Sequence, residues 1–186
     1  MKIEMGESLI YSWLRHEKLC QLVQTNWKVS PFWELENRQE IEDLFVICRN
    51  YFLEKHSLDI SKGCSLEQFL KQAEIDGIGI AYSTEAPYIY AVDVAYHEGG
   101  LNYGGKDETI TKIAQKCIRT ALCLYGYFCM STGEVLFVSP KITPAIETAL
   151  VPLFDEISKL LHDNGLNIKA ILHCMIVLAP RSCIQW

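Results

Sequence analysis

The feature that most restricts this fold is a pair of strand-like stretches separated only by Ser83-Thr84-Glu85-Ala86-Pro87, with a long, regular helical stretch after them. Ile75 to Tyr82 and Tyr88 to His97 are rich in β-branched and aromatic residues, and there the apolar period shifts from helix-like to strand-like. Five linking residues are too few for a crossover, so the two strands are expected to pair antiparallel as a hairpin. From Asp107 to about Tyr127, the residues Ile110, Ile113, Ala114, Cys117, Ile118, Ala121, Leu122 and Tyr125 repeat at helical spacing.

The rest of the chain fits around this unit. A first helix is predicted from about Glu7 to Trp27, stopped by Val29-Ser30-Pro31 because proline disfavours helix in the residue before it. A second runs from about Asn37 to Lys55. A third runs to about Glu74, with Asp59 and Ser65 as capping candidates. Glu134 to Ser139 reads as a short buried strand. Thr143-Pro144 opens a further helix in which Pro152 predicts a kink or break, and Asn164-Gly165 closes it. Ile168 to Leu178 is a final strand. The order implies an α/β fold: a mixed sheet of about four strands containing an antiparallel hairpin, flanked by helices on both faces. Residues 1–186 form a single domain in this reading, with a helical N-terminal part over 1–64 and a sheet-containing core over 65–186.

The 186 residues suffice to bury roughly two thirds of the unfolded surface without a disulfide or structural metal. No apolar run reaches the ~18 residues that span a bilayer, and the first residues lack the charged and apolar regions of a signal peptide. The expectation is a cytoplasmic protein with no membrane partner. The eight cysteines include no C-x-x-C pair and no zinc-finger spacing, so they read as reduced core thiols, with Cys64 and Cys183 the exceptions in polar or terminal stretches. Net charge is −6, which counts against a protein that grips long duplex nucleic acid through its whole surface. Between Glu34 and Asp59, seven acids face Arg38, Arg49 and Lys55, leaving the later half nearer balance.

Candidate chemistry centres on Tyr88 to Gly105. Alternation places Asp93, Ala95 and His97 on one strand face, with Asp93 set between Val92 and Val94. An ionised carboxylate in so apolar a strand is costly unless it is paired or binds a metal. Asp76 begins the neighbouring strand, and a hairpin of this length can bring the two aspartates together. Two such carboxylates repel unless a cation lies between them or one holds a proton, and oxygen ligands of this kind suit Mg²⁺ or Mn²⁺. Lys112, Lys116 and Arg119 form a cationic stripe along the next helix, placed either to bind phosphate and activate water or simply to snorkel into solvent. His97 and Glu98 are supporting candidates. The plain alternative for Asp93 is a partner for a buried basic group. Gly99-Gly100 and Gly104-Gly105 frame the loop without matching a P-loop or dinucleotide fingerprint.

A helix, Glu74-x-Asp76 entering a strand, an acid within the next strand, then a helix and another strand together resemble the PD-(D/E)XK nuclease superfamily over roughly residues 65–139. The resemblance implies that Asp76 and Asp93 hold Mg²⁺ or Mn²⁺, with Glu67 or Glu74 as the helical carboxylate. It also implies a lysine two residues after the second acid, where this chain has Ala95; some members draw that lysine from the next helix, which here means Lys112 or Lys116. The implied activity is a metal-dependent nuclease or phosphodiesterase with nucleic acid as its partner. The alternative is a catalytically inactive, nuclease-like or other α/β interaction domain, either on its own or as part of a larger protein. That reading is motivated by Ala95, the acidic charge and an aromatic-rich candidate surface from Trp27 to Trp33 that would engage a protein partner.

Overall fold

A computed structural model describes residues 2–82, 86–97 and 99–174, apart from the side chains of 2–5 and 174. Three elements carry the expected topology: β2 (Glu74–Tyr82), β3 (Pro87–Val94) and α4 (Lys106–Phe128). β2 and β3 pair antiparallel, with Gly77 opposite Val92 and Ile80 opposite Ile89. The α4 crossover then delivers β4 (Thr132–Ser139) parallel to β3, and α5 (Pro144–Asp163) delivers β5 (Asn167–Cys174) parallel to β4. α5 runs unbroken through Pro152, which lies on its exposed side, so the break predicted there does not occur. The predicted end of the last strand, residues 175–178, lies outside the described residues.

The N-terminal third departs from an all-helical reading. α1 (Lys2–His16) is shorter than predicted, and Leu22–Lys28 forms β1, antiparallel to β2 with Leu22 opposite Ile80. Among the described residues the sheet therefore has five strands, in the order β1-β2-β3-β4-β5. Val23 and Thr25 are β-branched, and burial along Leu22–Lys28 alternates as a strand requires. Leu19, in the left-handed region at φ 54°, breaks the helix ahead of it. The two remaining helices, α2 (Arg38–His56) and α3 (Leu66–Lys71), agree with expectation except that α3 stops short of Glu74, which belongs to β2. A capping box fixes the start of α3: Ser65 accepts from Gln68 N–H, and the Gln68 side chain accepts from Ser65 N–H.

The sheet divides two cores. α1 covers β1, β2 and β3 on one face, where Ile10, Trp13 and Leu14 meet Val92, Leu136 and Val138. The glycines of β2 explain how closely α1 approaches: a Cβ at Gly77 would lie 2.7 Å from Ile10, and one at Gly79 would lie 2.7 Å from Cys20 Sγ. The opposite face carries the larger core, built by α4 and α5 with α2 and α3 packed against α4. No helix among the described residues is long and apolar enough to cross a membrane.

Candidate functional site

The β2–β3 ladder ends at the Gly77–Val92 pair, with Asp76 and Asp93 the next residues beyond it on their strands. The Asp93 side chain projects to the α4 face, whereas Asp76 stands at the end of the hairpin from which the loop to α4 departs, beside Glu7 of α1. Asp93 is only 2 % exposed. Its two oxygens are both engaged by α4: Lys116 Nζ donates to Oδ1 at 3.1 Å, and Thr120 Oγ1 donates to Oδ2 at 3.2 Å. Lys116 and Thr120 sit one helical turn apart, so a single stripe of α4 supplies both donors. The pairing meets the electrostatic requirement of a buried carboxylate with a charge-assisted bond and a neutral one.

Asp76 is less deeply placed. Its Oδ2 accepts the Val94 backbone N–H at 2.6 Å, which ties the start of β2 to the end of β3. Burial pushes its carboxyl up to about 6; the Val94 bond and Lys116 pull the other way, while Asp93 and Glu7 add to the rise. Burial alone would lower the Lys116 ammonium, but the Asp93 charge, Tyr103, the hydrogen bond to Asp93 and the Asp76 charge together hold it above its ordinary value. Lys116 is therefore a fixed cation, suited to hold an anion and not to accept a proton. Asp76, by contrast, changes charge close to neutrality.

A cleft of about 320 Å³ opens over Asp76, lined among others by Glu7, Asn26, Glu74, His97 and Tyr103. Glu74 lies at its rim with its carboxylate 2.7 Å from Lys28 Nζ. His97 packs edge-on against Tyr103, with ring centroids 5.0 Å apart. It also faces a second, more open cleft of about 710 Å³ formed by the glycine loop and the starts of α4 and α5. In that loop Gly100 and Gly104 take φ of +100° and +133°, a conformation that only glycine adopts readily. Glu98 lies outside the described residues.

The cationic stripe does not act as one unit. Lys112 is turned to Glu108 at 3.3 Å and to the Tyr103 carbonyl at 3.4 Å. Arg119 is buried over the Phe69 ring and donates to Gln72 O and Oε1 at 3.3 and 3.1 Å, with its Nε left without a partner among the described residues. Burial lowers its guanidinium. Glu67 belongs elsewhere as well, 3.0 Å from Arg38.

Three participants were not singled out from the sequence. Glu7, on α1, lines the cleft, raises Asp76 through its charge and accepts from Asn26 Nδ2 at 3.2 Å. Thr120 was hidden in an otherwise apolar helix face. Tyr103 is raised by burial, with Lys116 lowering it and Asp93 and Asp76 raising it. Only the spacing of Thr120 four residues after Lys116 carried a readable signal.

Among the described residues, no three His, Cys, Asp or Glu side chains gather as a metal cluster. Glu7, Glu74 and His97 line the same cleft as Asp76 without gathering into such a cluster. Three core thiols are held protonated: burial pushes Cys20 up to about 11, and Cys48 and Cys123 up to about 12. No family model matches this chain, and no curated protein or solved structure matches it.

Proposed function

We propose that this chain is a divalent-metal-dependent phosphodiesterase acting on nucleic acid, with Asp76, Asp93 and Lys116 as its working residues. One observation supports the reading most. Asp93 and Lys116, paired with each other, act electrostatically on Asp76, a carboxylate pushed up to about 6 that lines an accessible cleft. Perturbed groups brought together in a cleft are a recurring mark of functional sites. Lys116 stands in for the lysine expected at the position of Ala95.

The donor set fits a hard cation of the Mg²⁺ or Mn²⁺ kind. Such ions take oxygen ligands, commonly bind through one or two carboxylates and keep several waters; Asp76 offers the accessible oxygen, and Asp93 would join it as second ligand by exchanging its bond to Lys116 or Thr120 for the ion. A bound metal of this type supplies Lewis-acid polarisation of a phosphoryl oxygen and lowers the pKa of a bound water.

The protein's own groups supply the rest. Thr120 and Lys116 fix the Asp93 carboxylate, and the Val94 amide fixes Asp76. Lys116, charged throughout the neutral range, stabilises negative charge developing on a phosphate oxygen. His97 and Glu74 are supporting positions around this centre, and Lys112 acts indirectly by holding the Tyr103 segment.

The test is cleavage of labelled single- and double-stranded DNA and RNA with Mg²⁺ or Mn²⁺, run beside calorimetric titration of the metal. The proposal expects metal-dependent cleavage that Asp93→Asn and Asp76→Asn abolish. It fails if no substrate is cut and Asp93→Asn leaves divalent binding unchanged.

A further inference from the structure

Between Trp27 and Glu36 the chain leaves the sheet edge and builds an aromatic platform. Ser30 O accepts the Trp33 N–H at 3.2 Å, and Ser30 Oγ accepts the Phe32 N–H at 3.3 Å, so a tight turn holds both rings outward. Phe32 is 91 % exposed and Trp33 50 % exposed. The platform is nonetheless anchored. Trp33 packs on Trp27 and Tyr127 with ring centroids 5.8 and 6.2 Å away, and Trp27 is buried against Phe128 at 5.3 Å. Glu36 N–H donates to Gly126 O at 3.0 Å. The Leu35 side chain occupies the space a Cβ at Gly126 would need, which seats the loop directly on α4.

A cleft of about 530 Å³ opens beside Trp33, and its charged lining residues are Glu34 and Glu36 alone. Both are exposed, and neither has an ion-pair partner among the described residues. Aromatic faces attract ammonium and guanidinium groups, and two unpaired carboxylates beside them add to that attraction while repelling phosphates. Gln24 of β1 lines the same cleft, and β1 is a sheet edge whose only neighbour among the described residues is β2. An extended chain can therefore lie along the edge while placing a side chain over the rings.

We propose that this cleft is a docking site for a basic, extended peptide segment of a protein partner, whose lysine or arginine lies over Trp33 between Glu34 and Glu36. The surface shares no lining residue with the Asp76 cleft, so it stands whether or not that cleft cleaves phosphodiesters.

The experiment is a titration of the full, isotope-labelled chain with an acetylated and amidated Arg-Ala repeat hexapeptide, against its Glu-Ala counterpart. The indole and backbone signals of the chain are followed by NMR. The expected result is a saturable change confined to Trp33, Tyr127 and Glu34 to Glu36, roughly tenfold weaker or more for the acidic peptide. Phe32→Ala and the Glu34→Gln/Glu36→Gln double variant change exposed groups only, and each should weaken binding by roughly three- to tenfold. Four outcomes overturn the proposal: no saturable change, changes scattered over every acidic surface, binding indifferent to the variants, or self-association through this face in sedimentation.

Discussion

Lys116, on α4, lies 3.1 Å from Asp93 on β3, joining the crossover helix to the strand that precedes it through one charge-assisted bond. Removing one member leaves the other without its counter-charge in a largely apolar setting. Because the lysine keeps a third of its side chain exposed, the cost is lower than for a fully buried pair. Lys116→Ala should destabilise the fold by about 1–3 kcal/mol, measured by urea unfolding. Lys116→Arg, which keeps the charge, should lose less.

Thr120 completes that arrangement. Thr120→Val keeps the shape and removes the hydroxyl, leaving Asp93 Oδ2 without its donor in a buried position. A loss of about 1–3 kcal/mol is expected, whereas Thr120→Ser should recover most of it. Comparing the two variants in the same unfolding experiment separates the hydrogen bond from simple packing.

Asp76 makes stability depend on pH in a direction opposite to most carboxylates. Its folded value of about 6 lies above its ordinary 3.8, so between these values the folded chain holds more of this proton than the unfolded chain. Stability from this group is therefore full below about pH 4 and falls as pH rises through 6, by roughly 2–3 kcal/mol at most. Asp76→Asn should be more stable than the parent at pH 8 and lose that advantage near pH 4. Unfolding curves at the two pH values check it. A parent that gains stability relative to Asp76→Asn as pH rises would contradict the assignment.

How far the sequence could be read follows from which signals are local. The hairpin, α4 and the start of α5 were legible because short connections, helical period and Thr143-Pro144 are properties of neighbouring residues. β1 was not: Leu22, Val23 and Trp27 extend the apolar run of α1, and only pairing with β2 decides that they are a strand. The antiparallel pairing of the strands that carry Asp76 and Asp93 was legible from hairpin length. The division of labour along α4 was not, since Lys112, Lys116 and Arg119 look alike in sequence. What separates them is whether Glu108, Asp93 or Gln72 stands opposite. Glu7 was beyond reach for the same reason, as it comes to the cleft only through the packing of α1 on Gly77 and Gly79.

Those close approaches have consequences of their own. A Cβ at Gly133 would meet the Ile89 carbonyl, a backbone atom of the adjacent parallel strand, whereas one at Gly79 would meet Cys20 and Leu14 side chains at 2.7 and 2.9 Å. Side chains can shift and a central strand cannot. Gly79→Ala should cost about 1–3 kcal/mol and Gly133→Ala clearly more, judged by thermal unfolding of the two variants side by side.

The proposed chemistry rests on Asp76 and Asp93 sharing a divalent ion, and calorimetric titration of Mg²⁺ or Mn²⁺ into the parent chain, Asp93→Asn and Asp76→Asn tests it most directly. The account predicts one saturable site in the parent, its loss in both variants, and an Asp76→Asn protein that stays folded and gains stability at pH 8. Divalent binding of equal strength in all three proteins would contradict it, as would a well-folded parent that binds neither ion.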